Sequence, residues 1–319
     1  MDMPPKLQSA LQEITQTHTL HTLAEHAQTV SDRYRFHPRT GDSLLSRPDE
    51  ALAYALVRMP ATFGAVTSAL EQIIDRIHPT RIHSLLDVGA GTGAATWAAA
   101  SFFPLQQITC LERTDVMRQT GQTLMEKAGL TPSPGWLQTD LTRGTITVSA
   151  DLVIASYVLN ELPENNRIDA LARLWQAAKD TLLIVEPGTP QGYRQIMQYR
   201  TFLLKNGGFL IAPCPHAQAC PLSTDDWCHF SCRLARTKQH RRIKQAELGY
   251  EDEKFCYLAV SKSPVSAGAG RILRPIESHP RHIRLTLCRP DGQKVRMTVS
   301  KKETALYKKA KKAKWGSSF

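Results

Sequence analysis

The sequence lacks any apolar run approaching the roughly 18 residues of a membrane-spanning helix; its longest clear one, Leu152 to Leu159, is under half of that. It also lacks the basic-then-apolar layout of an export signal, low-complexity tracts and internal repeats, which sets aside secreted, disordered and solenoid readings. The expectation is therefore a soluble, cytoplasmic protein. Its 319 residues, 42% hydrophobic and 22% charged, fit one large globular domain or two modest ones with a sizeable core.

The seven cysteines carry information through their placement. Cys110 stands alone, Cys214, Cys220, Cys228 and Cys232 crowd together, and Cys256 and Cys288 follow. Without an export signal such crowding reads as metal or cluster ligation rather than disulfides, because the cytosol keeps thiols reduced. Charge is just as uneven. Residues 1–199 carry 16 Lys and Arg against 20 Asp and Glu, and residues 200–319 carry 24 against 9, so the two parts stand at −4 and +15 and the positive excess lies in the second. Two runs concentrate it, Arg233 to Lys244 with six basic residues and no acid, and Lys301 to Lys314 with seven lysines against one glutamate. That half is the candidate polyanion-binding surface.

Hydrophobic spacing divides the chain into a helical region over 1–80, an α/β region over 81–262 with a cysteine-rich insertion at 207–250, and a β extension with a basic tail over 263–319. Leu7, Leu11 and Ile14 share a helix face, and Ser46 with Asp49 and Glu50 marks a helix start that Pro60 interrupts. Arg33-Tyr34-Arg35 reads as a loop between helices. From Ser84 onward, strand-like runs at Ser84 to Val88, Ile108 to Leu111, Asp151 to Val158 and Thr181 to Val185 alternate with helical segments, the pattern of a parallel sheet covered on both faces. Phe255 to Val260 adds a further strand. Ile283 to Cys288 and Val295 to Val299 flank Pro290-Asp291-Gly292, a hairpin turn.

Leu85-Leu86-Asp87-Val88-Gly89-Ala90-Gly91-Thr92-Gly93 places a glycine turn between a strand and a helix, where backbone and free N–H groups can approach a ligand closely. Glu112, ending the next strand about 20 residues on, suits ribose hydroxyls, and Asp140 ends the third strand near an adenine position. Asp115, one turn later, reads as a helix cap instead. This set resembles the S-adenosylmethionine-dependent methyltransferase superfamily, which implies a Rossmann-like seven-stranded sheet with Asp87, Gly89, Gly91, Gly93, Glu112 and Asp140 lining the cofactor. No catalytic set is assigned. After the fourth strand stands Asn160-Glu161-Leu162-Pro163, which keeps only the Asn of the amino-methylase pattern, and no cysteine ends the fourth or fifth strand.

Cys214-x5-Cys220-x7-Cys228-x3-Cys232 lacks the tight CxxC pairs common at zinc sites, which tilts the reading toward an iron–sulfur cluster, with zinc as the alternative. A fourth ligand is to come from Cys232, Cys256 or Cys288; Cys256 and Cys110 read as core thiols, and Cys288 alternates away from the apolar face of its strand. His216 and His229 are zinc-ligand candidates by proximity alone. The runs APCPHxxxCPL, DWCHFS, KFCYLAVSK, LCRPDG and KKAKWG, with ALAYALVRMPAT nearer the N-terminus, resemble the methyltransferase-like small-ribosomal-subunit protein family of bacteria and mitochondria. That resemblance implies an assembly or translation factor on the small subunit and its rRNA, cytoplasmic in a bacterium or in the mitochondrial matrix in a eukaryote. It also implies a [4Fe-4S] cluster held by Cys214, Cys220, Cys228 and Cys288, with Cys232 as a spare thiol. The chain is expected to act without a membrane and as a monomer. An active rRNA methyltransferase and a small-molecule methyltransferase are the competing functions.

Overall fold

The computed structural model describes residues 2–36, 45–77, 79–266 and 268–319. Helices α1 (Pro5–Thr15), α2 (Leu20–Phe36), α3 (Pro48–Val57) and α4 (Met59–Glu71) come first. An alternating stretch follows: β1 (Ser84–Val88), α5 (Ala94–Ala100), β2 (Gln107–Glu112), α6 (Asp115–Lys127), β3 (Gly135–Gln138), β4 (Ala150–Ser156), α7 (Glu164–Ala177), β5 (Ala178–Pro187) and α8 (Pro190–Lys205). Then come β6 (Phe209–Ala212), β7 (Phe230–Ala235), α9 (Lys238–Ile243) and β8 (Tyr250–Ser261). The chain closes with β9 (Arg271–Ile272), β10 (Glu277–Ser278), β11 (His282–Cys288), β12 (Lys294–Ser300) and α10 (Thr304–Lys312).

The central sheet runs β3-β2-β1-β4-β5-β8-β6, with β1 to β5 parallel and β8 antiparallel to its neighbours. Side chains alternate between its faces as the pleat requires. Leu85, Cys110, Ile154 and Leu183 join the core under α4 and α5, while Leu86, Leu111, Val153 and Leu182 join the core under α7 and α8. Glu50 fixes the start of α3 by accepting the Ser46 N–H at 3.1 Å, and Pro60 sits in the first turn of α4, where its missing N–H costs nothing.

Three expectations need correction. The sheet has an eighth strand, β7, from inside the cysteine-rich insertion, which pairs with the first half of the twelve-residue β8. Its Phe230, Cys232 and Leu234 alternate inward, but Arg233 and the basic run behind it hide the pattern. The C-terminal extension is more than a hairpin: β9 and β10 complete a four-stranded sheet, and α10 packs Ala310 against Ile283, Leu285 and Val299. Two-residue strands are too short to show a period. Arg33-Tyr34-Arg35 closes α2 instead of forming a loop, and Arg33 pairs with Glu50 at 2.9 Å.

Three of the six Arg and Lys residues of the first basic run are paired within the protein. Arg233 forks onto Asp252, Arg236 and Lys244 share Glu251, and His240 is buried 3.9 Å from Glu251. Burial, helped by Lys244 and opposed by Glu251, depresses the His240 pKa to about 4. Because this lies below the ordinary histidine value, the unfolded chain takes the proton first. The contribution of His240 to stability is complete above pH 6.5 and is lost as pH falls toward 4, reaching roughly 2 kcal/mol at pH 5. Asp87 has the opposite sign: burial raises its pKa to about 6, so the folded chain gains stability as pH falls below 6. Between pH 7 and pH 5 the urea midpoint should therefore fall slightly in the unaltered protein, where the His240 loss outweighs the Asp87 gain, and rise in His240→Gln, where only the Asp87 gain remains. An identical pH dependence would show that His240 is not buried neutral.

Candidate functional site

The glycine turn leads from β1 into α5 with Gly89, Gly91 and Gly93 at φ of 66°, 56° and 86°, a region closed to most side chains. Space differs among them. A Cβ on Gly89 would stand 2.3 Å from Val158 and one on Gly93 2.0 Å from Met125, whereas one on Gly91 meets only Met117, at 3.4 Å. Gly91 is thus the place where an outside group can approach the turn. Asp87 is fully buried beneath it, accepting bonds from the Thr96 N–H at 2.9 Å and hydroxyl at 2.8 Å, which ties β1 to α5. Glu112 spends one oxygen on the Gly91 N–H at 2.8 Å and the other on the Thr114 N–H at 2.7 Å. Asp140 accepts from the N–H and hydroxyl of Thr142; partial burial raises its pKa, but those bonds with Arg113 and Arg143 outweigh it and hold the carboxyl below the usual range. Asp115 lies in the first turn of α6 and bonds Arg118 and Gln119.

Beyond the strand ends lies a cavity of about 1020 Å³ whose walls include Tyr54, Arg58, Tyr157, Asn160 and Glu161. The N-terminal helices roof it. Val30, Leu45, Ala51 and Met117 form a small apolar cluster that pins α2 and α3 onto α6. Tyr157 holds φ of 57°, unusual for a bulky residue, and its hydroxyl donates to Glu253 at 2.9 Å. Burial raises the Tyr54 pKa to about 12, against the pull of Arg58. Sequence reading missed Tyr54 and Arg58, which only the packing of helices remote in sequence brings to the strand ends, and Tyr157, which directly follows β4 and whose bond to Glu253 needs a distant partner.

A second cavity gathers Cys214, Cys220 and Cys228, from the loop between β6 and β7, with Cys288, the last residue of β11. Arg200 of α8 holds this loop by donating to the carbonyls of His216 and Gln218 at 3.0 and 2.7 Å. Tyr193 donates to Cys220 Sγ at 3.3 Å, and His216 Nε2 lies 3.2 Å from Cys288 Sγ. Burial raises the thiol pKa of Cys228 well above its ordinary value and that of Cys288 to about 12. Cys214 is also raised by burial, and here Arg200 and Arg271 pull the other way. Cys256 lines the same cavity but donates its S–H to the Cys228 carbonyl at 3.1 Å. Cys232 packs apart, against Gly64, and Cys110 is fully buried beside Thr96. His229 lies between the rings of Trp227 and Trp315. Among the described residues, no three His, Cys, Asp or Glu side chains converge closely enough to hold a metal ion as they stand. Sequence reading also missed Arg200 and Arg271, whose roles rest wholly on contacts remote in sequence.

Residues 48–319 match the family described as mitochondrial small ribosomal subunit Rsm22. The chain belongs to the Rsm22 family. A similar relative is the mitochondrial ribosome assembly protein METTL17 of Homo sapiens, 30% identical over 285 residues, covering 83% of this chain and 61% of that protein. The mitochondrial Rsm22-cox11 tandem proteins of Schizosaccharomyces pombe are 25% identical over 324 residues, covering 85% of this chain and 43% of theirs. The chain thus spans 61% and 43% of the lengths of these relatives. Among solved structures, magnesium protoporphyrin IX methyltransferase from Synechocystis PCC 6803 with bound SAM gives a TM-score of 0.43 at 15% identity, covering 74% of this chain and 93% of that one. An O-methyltransferase family protein from Burkholderia thailandensis gives 0.46 at 14% identity, covering 61% and 69%. This member of the Rsm22 family has an α/β fold, a mixed and mostly parallel central sheet covered by helices, with a C-terminal antiparallel sheet.

Proposed function

We propose that this chain binds the small ribosomal subunit through its rRNA as an assembly or translation factor, on an S-adenosylmethionine-binding frame braced by a [4Fe-4S] cluster. The observation that carries the reading is the meeting of Cys214, Cys220, Cys228 and Cys288 in one cavity between the central and C-terminal sheets. Four thiols beside two buried arginines, Arg200 and Arg271, are a donor set suited to an anionic thiolate centre. A cluster held there supplies a cross-link between the insertion and the C-terminal sheet, and zinc is the alternative occupant. Family membership and the assembly role in the name of METTL17 support the ribosomal part. The same relatives favour the mitochondrial matrix for a eukaryotic chain and leave the bacterial cytoplasm for a bacterial one.

The cofactor frame rests on Asp87, Gly89, Gly91, Gly93, Glu112 and Asp140, with Gly91 as the point of approach. Since Glu112 is engaged by the Gly91 and Thr114 N–H groups and Asp87 by Thr96, and no amino-methylase motif follows β4, binding without turnover is the better reading. Co-sedimentation with immature small subunits, run beside a methyl-transfer assay, tests it. Binding without transfer is expected. Label appearing in rRNA would replace this reading by the methyltransferase one, and absence of binding would end it. By calorimetry, Gly91→Trp should weaken S-adenosylmethionine binding at least tenfold, because a large side chain at positive φ both strains the turn and fills the approach. If the unaltered protein takes up no S-adenosylmethionine, the cofactor part fails and the ribosomal part stands.

A further inference from the structure

The structure separates the two basic runs that the sequence presents as equals. The acids of β8 claim Arg233, Arg236 and Lys244, so that among the described residues Lys238, Arg241 and Arg242, all exposed, are the cations of this run without a carboxylate partner, and Arg241 donates to the Glu247 carbonyl. Cations on the C-terminal sheet are likewise matched, Arg284 and Arg296 with Glu277, Lys294 with Asp226 and Arg289 with Asp291. Around α10 the balance is different. Lys301, Lys302, Lys308, Lys309, Lys311, Lys312 and Lys314 are all exposed, and among the described residues no carboxylate pairs with any of them.

Helix geometry explains how they are displayed. At 3.6 residues per turn, Leu306, Tyr307 and Ala310 share about 100° of the circumference, and Lys308, Lys309, Lys311 and Lys312 spread over about 160° on the opposite side. The apolar arc is anchored on β11 and β12, so the lysine arc faces solvent on a fixed support. Lysines in the last turn favour the helix dipole, but like charges at i,i+3 and i,i+4 oppose helix formation, and the dipole does not account for Lys301, Lys302 or Lys308.

We infer that α10 docks on the phosphates of double-helical RNA, a surface assignment that rests on the small-subunit reading above. Single-stranded recognition relies on aromatic rings open to stack on bases. Here the three nearby rings are engaged elsewhere: Tyr307 packs against the sheet, Trp315 donates to the Leu273 carbonyl at 2.9 Å, and Phe319 lies under Lys309 at 4.9 Å. What remains is a row of ammonium groups carried on an anchored helix, able to neutralise backbone charge without reading sequence.

The test compares the full chain with two variants, Lys308→Gln/Lys309→Gln/Lys311→Gln/Lys312→Gln on α10 and Lys238→Gln/Arg242→Gln on the first run. Probes are a 24-base-pair RNA duplex, a 24-nucleotide polyuridine, vesicles rich in phosphatidylserine, and immature small subunits. The α10 variant should lose at least tenfold in duplex affinity and about three to four from the log–log salt slope, while the other variant loses less than half as much slope. Polyuridine and vesicles should bind the unaltered chain more weakly than the duplex. Full duplex and subunit binding by the α10 variant, or tighter binding of polyuridine or vesicles than of duplex, overturns the assignment. Subunit binding that survives in the α10 variant overturns only this assignment, whereas an unaltered chain that binds no subunits removes the small-subunit reading itself.

Discussion

Anaerobically purified protein should be brown and carry iron and sulfide near four per chain, and Cys288→Ser should lose nearly all of both. Cys288 is the member of the proposed ligand set that the C-terminal sheet contributes; the others lie on the loop between β6 and β7. Its buried thiol, with a pKa raised to about 12, is protonated at neutral pH, so taking up metal must release a proton. Loading should accordingly weaken as pH falls. Cys232→Ser should keep iron and colour, because that thiol packs against Gly64 and outside the cavity. Colourless protein with one zinc would sink the iron–sulfur assignment while keeping the four thiols. Metal retained by Cys288→Ser but lost by Cys232→Ser would move the fourth ligand. Losing the cross-link should also reduce small-subunit co-sedimentation by at least tenfold, since it loosens the sheet that carries α10.

Features that depend on neighbours in sequence were legible in it. The alternating runs marked β1, β2, β4 and β5, and Pro290-Asp291-Gly292 marked the turn between β11 and β12, where Gly292 adopts φ of 81° and Arg289 donates to the Gln293 carbonyl at 2.9 Å. What needs distant partners was not. Arg233, Arg236 and Lys244 look like an exposed cationic run until Glu251 and Asp252 are folded back beside them. Nothing local separates them from the lysines of α10. The roof over the strand ends is hidden for the same reason, because Val30 and Ala51 meet Met117 only in the folded chain. At the glycine turn the sequence presents Asp87 and Glu112 as free carboxylates facing a ligand. Folding commits Asp87 to Thr96 and Glu112 to Gly91 and Thr114.

Arg271→Met should destabilise the protein by an amount that depends on whether the thiol cavity is loaded. Arg271 is 2% exposed and donates to the Pro213 carbonyl at 3.0 Å, to Gln72 Oε1 at 2.7 Å and to the Gly316 carbonyl at 2.8 Å. It therefore joins the cysteine loop, the end of α4 and the C-terminal tail, which itself bridges back through Ser318. Removing the guanidinium orphans two buried carbonyls, at about 1–3 kcal/mol each if they stay dry, and the half-buried Gln72 amide oxygen, which water can reach at less cost. Set against this is the cost of the cation itself. Its three partners are uncharged, and Arg76 nearby has the same sign and its own pKa lowered, first by burial and then by Arg271. A buried charge without a counter-charge is costly, so in the metal-free protein relief of that cost should offset much of the lost bonding and leave a net of about 1–2 kcal/mol. In loaded protein the thiolate centre supplies the counter-charge. The substitution should then cost about 3–5 kcal/mol, the range for breaking a buried pair. Urea unfolding of Arg271→Met and of the unaltered protein in both states measures this difference, and exchange at the amides of Gly316 and Phe319, which donate to Ile272 and Gly270, reports release of the tail. Equal losses in the two states would mean that Arg271 is a backbone clamp only, and that the negative charge proposed for the cavity lies elsewhere.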